Sequence, residues 1–472
     1  MACLVDRLSV ASGGDQPPGT PEPQYLRDRS FGLVQNPDMA TVNADVVVVG
    51  AGMAGVTAAR ALADLGTCVT VFEASQLVGG RVRTARDFAD GPVEAGAEFI
   101  HGVNAATWAD ARAAGLRFQP VPYVRNSWFT LGGSTRWLPV HLLHPGVWRS
   151  LSILLALRRA ADGDVSAASF IKAQGYQGRA LELAQLTLTA HLPGSTEQIG
   201  VAGLVADGVL HLERGLNHRV LDGYDQLPRH IAAGLDIRFG QPVSAIAWGP
   251  DGTEIALAGG GTVAARAAIS TVPHGVLASG TLRFDPQLPA SKVEAISRIR
   301  TGAVAKVLLR FSERFWPQRM AQLVCGSGPV TLYWPTSFGT GGPPVLIGYA
   351  TGPRAHALSQ AGADLATEVV LDDLGRLFPA GRPHAHVVAS RFIDWLTDPN
   401  ALGGYTYLPP GAVGSRAALA AADTGALLWA GSATSWSPVA DTVEAAFLSG
   451  LRAAEEARLV LGIGPASRPG GR

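Results

Sequence analysis

The first clear pattern in the chain is the unbroken β-branched run Asp-Val-Val-Val-Val at 45–49, which predicts a strand buried on both faces. A glycine turn follows, then an Ala-rich stretch over 56–65 with helical periodicity that Gly66 stops. Residues 68–72 predict a second strand ending on Glu73, so the three pieces make a βαβ unit. Further on, helices are expected over 151–161, 180–190 and 223–235, the last leading into a strand at 236–239. Strand patterns recur at 243–248, 254–257 and 267–272. Residues 301–311 alternate as a half-buried strand, with Ala305, Val307, Leu309 and Phe311 on one face and Lys306 on the other. A short strand at 427–430 and a long helix over 440–461, closed by Gly462, complete the pattern. Residues 1–40 read as a loose extension and 463–472 as a tail.

Length and composition narrow this picture. The chain of 472 residues is too long for one ordinary core, so two interleaved domains are expected. Apolar residues at 47% against 16% charged argue for a core-rich fold. Lys+Arg and Asp+Glu balance at 38 each, which gives no reason to expect nucleic acid or an anionic membrane as partner. The longest apolar stretch, near 151–157, is too short for a membrane span and runs straight into Arg158 and Arg159. Asp6 and Arg7 interrupt the only apolar patch at the N-terminus, so no secretory signal is read there. Cys3, Cys68 and Cys325 form no CxxC, which points to a reducing, cytoplasmic setting without a thiolate metal site. Cys68, in its apolar run, is expected to be a small buried side chain.

The candidate chemistry begins at the glycine turn. Gly50, Gly52 and Gly55 spell GxGxxG, a weak signal alone. Here the turn follows a buried strand, opens a helix and leads to Glu73 at the end of the next strand. Backbone N–H groups and a helix N-terminus then face a pyrophosphate, while the glutamate accepts from ribose hydroxyls. The turn does not separate FAD from NAD. Just past Glu73, residues 77–84 add Gly79, Gly80 and Arg81, whose guanidinium suits a phosphate.

With these motifs and six others in the same order, the sequence resembles the flavin amine oxidase family, which includes monoamine oxidases, polyamine oxidases and flavin histone demethylases. The matching residues are Gly79-Gly80-Arg81, 96–102 from Gly96 to Gly102, 223–228, Thr271-Val272-Pro273, Lys306, 395–410, and Ala430-Gly431 through Arg452. The resemblance implies an α/β (α+β) fold, a Rossmann-like FAD-binding domain with a second, mixed substrate domain. The FAD domain would take 44–124, 215–283 and 394–462, and the substrate domain 125–214 and 284–393. It implies cofactor contacts from Gly50, Ala51, Gly52, Met53, Ala54, Gly55, Glu73, Ala74, Gly80, Arg81, Gly96, Ala97, Glu98, Val243, Trp395, Gly431, Ser432, Thr442 and Val443.

The resemblance also assigns reactive positions. Lys306 matches the family lysine that holds a water against the flavin. Trp395 and Tyr405 match a Trp-then-Tyr pair that contacts the flavin, with the Tyr forming one wall of an aromatic slot. The second wall falls on Thr442, so a full two-tyrosine cage is not expected, and His101 matches a histidine of animal polyamine oxidases. The residue before Tyr405 is Gly404 where the mitochondrial enzymes carry a flavin-linking Cys, which implies non-covalent FAD. Ser432 departs from the usual family Glu and puts the affinity or geometry of the cofactor in question.

The implied reaction moves hydride from an amine C–H to the flavin, gives an imine and then a carbonyl product, and returns electrons to O2 as H2O2. The expected partners are a small-molecule amine and O2, with no metal; neither the particular amine nor an oligomeric state is set. Two rival readings stay open. One is another flavoenzyme on the same fold, either a desaturase acting on an apolar substrate or an L-amino-acid oxidase, for which Arg125 or Arg136 lies in the right general region to anchor a carboxylate. The other is a non-catalytic binding protein on this fold.

Overall fold

A computed structural model describes residues 44–159, 163–208, 216–435 and 440–464; the expected extension at 1–40 and all but the first two residues of the tail at 463–472 lie outside them. Two large sheets organise the described chain. In the first, strand β1 (Ala44–Val49) presents four consecutive valines to covered faces. It runs into helix α1 (Met53–Ala63), which leads to strand β2 (Val69–Phe72), parallel to β1. The strand order is Asp236–Arg238, β2, β1, Thr262–Ser270, Gly252–Leu257, Val243–Gly249, Arg283–Asp285. Leu427–Trp429 comes back to pair in parallel with Thr262–Ser270.

Helix α1 starts three residues earlier than its apolar period predicts. A Cβ on Gly55 would stand 1.9 Å from the Gly50 carbonyl oxygen, so glycine is the residue that lets the helix begin against the end of β1. Contact with the strand outweighs the low helix propensity of glycine there. Cys68 corrects another expectation. It lies one residue before β2, on the exposed side of the turn, and is not buried.

The second sheet has the order Val387–Asp394, β3 (Val304–Phe311), Val345–Thr351, Leu332–Pro335, Gln322–Cys325, Ser127–Leu131, Ser134–Trp137. We label Leu332–Pro335 β4 and Val345–Thr351 β5. The half-buried strand expected over 301–311 divides in two. Arg300–Gly302 pairs with Tyr405–Tyr407, while β3 sits between two neighbours with both faces covered. Ala305, Val307, Leu309 and Phe311 pack beneath helix α2 (Gly352–Leu377, broken at Gly362). Val304 and Leu308 pack on the other side with Trp334, Tyr349 and Trp395. Lys306 belongs to this second face and is 3% exposed, so it is a buried charge and not a solvated one.

The helix expected over 151–161 breaks into Pro145–Leu151 and Ile153–Arg159, and the one over 223–235 shortens to Gln226–Ile231. Among the described residues no helix is long and apolar enough to cross a membrane. The chain closes with helix α3 (Val443–Val460), which lies on α1; a Cβ on Gly450 would come within 2.4 Å of the Ala54 carbonyl oxygen.

Candidate active site

Both sheets contribute walls to one cavity of about 700 Å³, within the range of small-molecule and cofactor sites. Its nucleotide end is built largely from backbone. Gly50 adopts φ +104°, and Gly52 pairs with Gly79 as an isolated bridge. Gly52 is the N-cap of α1 and has no side chain to accept the first amides of the helix, which leaves those donors for an anion. A Cβ on Gly52 would meet nothing within 4 Å, so this side of the turn is open. Glu73, 7% exposed, accepts from the amides of Ala51 (2.6 Å) and Ser75 (2.8 Å). An open glycine turn, free helix amides and a fixed carboxylate at the end of the second strand fit a dinucleotide.

The middle of the cavity is a polar knot around Arg81. Its guanidinium donates to the Gly404 carbonyl and to Ser432 Oγ (2.9 Å), and pairs with Asp441 at 3.7 Å. Asp441 sits at φ +56° and accepts from Ser432 Oγ and from both the amide and the hydroxyl of Thr406. Burial works to raise its carboxyl, but Arg81, Arg416 and these hydrogen bonds outweigh it and hold it below the ordinary range. A carboxylate absent at position 432 is therefore present at 441, against the same arginine. Thr442 caps α3, accepting from the Ala445 amide at 3.2 Å, and turns the start of that helix to the cavity.

At the far end Lys306 donates to the carbonyls of Glu94 (2.9 Å) and Gly96 (2.8 Å), with a longer contact to Glu98 at 3.4 Å. Burial lowers its ammonium, against the attraction of Glu98 and Glu94. Glu98 is held by Arg219 (3.1 Å) and by Trp334 Nε1 (2.9 Å). Glu94 is buried beneath, bonded by the Tyr224 amide and the Thr84 hydroxyl, and burial pushes its carboxyl up to about 8. Trp395 is pinned through Nε1 to the Ala95 carbonyl (3.1 Å). Tyr405 meets Tyr349 hydroxyl to hydroxyl at 2.7 Å and donates to the His191 carbonyl. Tyr349 lies directly across the ladder from Lys306. His101 Nδ1 is 3.0 Å from Asn217 Oδ1, on strands that pair at this position. His191 is an exposed residue that also lines the cavity. Its surroundings, together with His101, pull its imidazole down to about 4.

Lys306, Trp395, Tyr405, His101 and Thr442 thus line one space with Gly50, Gly52, Met53, Ala54, Glu73, Gly80, Arg81, Gly96, Ala97, Glu98, Gly431, Ser432 and Val443. Ala51, Gly55, Ala74 and Val243 lie outside that lining. Ala51 and Gly55 act from behind, through the Glu73 contact and the fit of the turn. Arg125 and Arg136 are exposed and are not among the residues that line the cavity. Asp441, Trp334, Tyr349, Arg219, His191 and Asn217 were not singled out in the sequence; the register opposite Lys306 is the one signal that points to any of them, Tyr349. Among the described residues no group of His, Cys, Asp and Glu is arranged to hold a metal ion.

Comparison with known proteins agrees with this geometry. A family model described as flavin containing amine oxidoreductase matches residues 53–139 and 156–458. The chain is 30% identical over 437 residues to polyamine oxidase 4 of Oryza sativa subsp. japonica, covering 88% of each chain. It is 29% identical over 450 residues to polyamine oxidase 2 of Arabidopsis thaliana, covering 89% of each. Among solved structures it resembles cyclohexylamine oxidase from Brevibacterium oxydans IH-35A, with a TM-score of 0.78, 23% identity and coverage of 89% and 99%. Putrescine oxidase bound to putrescine gives 0.74, 21% identity and coverage of 88% and 99%. A family match across most of the chain joins the dinucleotide turn and the buried lysine in one assignment: the protein is an FAD-dependent oxidoreductase and belongs to the flavin-containing amine oxidoreductase family.

Proposed function

We propose that the protein is an amine oxidase acting on a small-molecule amine. The observation that carries this reading is the continuity of the cavity, which joins the glycine turn and Glu73 to Lys306 and the Tyr349–Tyr405 pair. The names of the relatives, polyamine and cyclohexylamine oxidases, support an amine as the substrate class. Residues 44–124, 215–283 and 394–462 would form the FAD-binding domain, and 125–214 with 284–393 the substrate domain.

FAD bound in this cavity supplies the acceptor for hydride from the carbon beside the amine nitrogen, and O2 takes the electrons on as H2O2. The chain's own residues do the rest. The open turn at Gly50 to Gly55, Glu73 and Arg81 would hold the cofactor; the Arg81–Ser432–Asp441 knot fixes the wall between its two ends. No cysteine among the described residues lines the cavity, and Gly404 offers no side chain, so FAD would be held without a covalent bond. Tyr405 and Trp395, immobilised by their hydrogen bonds, would orient the amine. With the amine bound neutral, no dedicated base is required. Lys306 uses two short bonds to carbonyls and one long contact to Glu98. The long contact is the one a water can replace, which would put a polarised water at the site of imine hydrolysis.

The test is anaerobic. The purified holoprotein is mixed with a panel of amines and amino acids while the oxidised-flavin band is followed. Bleaching by amines, reversed by air with H2O2 release, is the expected result. A yellow protein that no amine bleaches would remove the assignment.

A further inference from the structure

The described carboxylates of this cavity and three of its aromatic faces are already engaged by the protein's own groups, and that pattern bears on which amine it takes. Five carboxylates line it among the described residues: Glu73, Glu98, Asp207, Asp398 and Asp441. Glu73 is committed to two backbone amides at the nucleotide end. Glu98 is paired with Arg219 and touches Lys306. Asp207 takes both arms of Arg416 at 2.8 Å each. Asp398 pairs with Arg83 at 3.1 Å, and Asp441 with Arg81 at 3.7 Å.

Aromatic rings could hold a cation in place of a carboxylate. Here three of the rings that line the cavity each already carry a cation of the protein. Lys306 Nζ lies 5.3 Å from the Trp334 ring centre, the Arg83 guanidinium 4.8 Å from that of Trp395, and the Arg219 guanidinium 5.4 Å from that of Phe99. Leu192, Ile199 and Leu204 add an apolar part to the wall. A diamine or polyamine brings at least one ammonium besides the reacting nitrogen. Among the described residues that second charge meets no free carboxylate, and it approaches lysine and arginine side chains of its own sign.

We infer that the substrate is a monoamine with an apolar body, of the cycloalkyl or arylalkyl class, and that diamines and polyamines are discriminated against. The inference rests on the amine oxidase reading and runs against the names of the plant relatives.

Two measurements on the FAD-loaded protein at pH 7 test it. Anaerobic flavin reduction is compared for cyclohexylamine, benzylamine and 2-phenylethylamine against putrescine, spermidine and spermine. Titration of the oxidised flavin band with each amine, before reduction, separates binding from turnover. The expected result is a monoamine preference of at least about 100-fold in reduction rate over apparent Kd. Equal or better reduction by putrescine or spermidine overturns the inference and leaves the amine oxidase reading standing. Reduction by none of the six amines overturns both.

The variant Gln322→Glu adds an unpaired carboxylate to the lining with almost no change of shape, since Gln322 reaches only Ser127 Oγ at 2.8 Å. It should raise the putrescine-to-cyclohexylamine ratio by about tenfold or more. A selective wild type whose ratio is unmoved by this substitution would show that missing charge is not the cause, and would overturn the inference as argued.

Discussion

Lys292 and Lys306 are both buried, both bonded to backbone carbonyls and both lowered chiefly by burial, yet they belong to regions with different work. Lys292 is fully enclosed and donates to the carbonyls of Ala418, Leu419 and Ala421, with Asp423 at 3.0 Å. These carbonyls close the helix Ser415–Ala420, so its ammonium satisfies a helix end and meets the negative pole of its dipole. Lys306 also fills two carbonyls, but its third contact is long, goes to a carboxylate, and lies on a cavity wall. A buried lysine with a lowered pKa is therefore not in itself a mark of function. What separates the two is access, and a bond that can be exchanged.

Four substitutions put this contrast at risk. The largest effect is expected from Lys306→Met. Turnover per bound flavin should fall roughly 100-fold, the scale of losing one preorganised donor, with flavin content retained. Stopped-flow reduction and reoxidation measure it, and wild-type rates in both half-reactions would make Lys306 a second Lys292. Lys292→Met should do the reverse. It should cost about 2 kcal/mol of stability through its lost charge-assisted bonds, seen as a lower Tm, while turnover per flavin stays at the wild-type value.

Glu98→Gln sharpens the comparison further. It removes the carboxylate that raises the Lys306 ammonium, so the alkaline limb of the pH–rate profile should move to lower pH. An unmoved limb would mean that Lys306 does not set it. The smallest effect belongs to Glu94→Gln. Folding pushes the Glu94 carboxyl from 4.5 up to about 8, so the folded state keeps a proton that the unfolded chain releases. Its stabilising contribution is complete below pH 4.5 and is lost as pH rises through about 8. The variant should show a shallower fall of Tm across that window, and identical slopes would refute the assignment.

The two ends of the cavity were not equally legible in the sequence. The nucleotide end is local. Gly50, Gly52, Gly55 and Glu73 lie in one βαβ unit; Gly50 and Gly55 answer backbone demands that no other residue meets as well and Gly52 keeps the turn open, so spacing within a strand–turn–helix context exposes them. The far end is not local. Trp334 comes from β4, Tyr349 from β5, Lys306 from β3, and His191 from the loop after helix Gly178–Thr189. Lys306, Tyr349 and Trp334 meet because strand pairing brings them to one face, and single aromatics in apolar runs carry no local sign of that. Lys306 was found through resemblance, whereas alternation alone made it a surface residue. That error has a physical source. An alternating pattern reports one covered face, and β3 has two. Asp441 was passed over because its partners, Arg81, Thr406 and Ser432, lie in three separate segments.

The return of Leu427–Trp429 to the sheet that Ala44–Val49 begins has a consequence for how the molecule is made. At roughly 5–20 residues per second of synthesis, the first strand leaves the ribosome tens of seconds before Leu427–Trp429 exists. Through that interval the glycine turn is present but the wall formed by Gly431, Ser432 and Thr442 is not. A nascent chain therefore lacks part of the cavity that the finished chain has. A chain ended before Leu427 would lose the strand, helix α3 and that wall together, so a late stop codon opens the cavity rather than trimming a terminus.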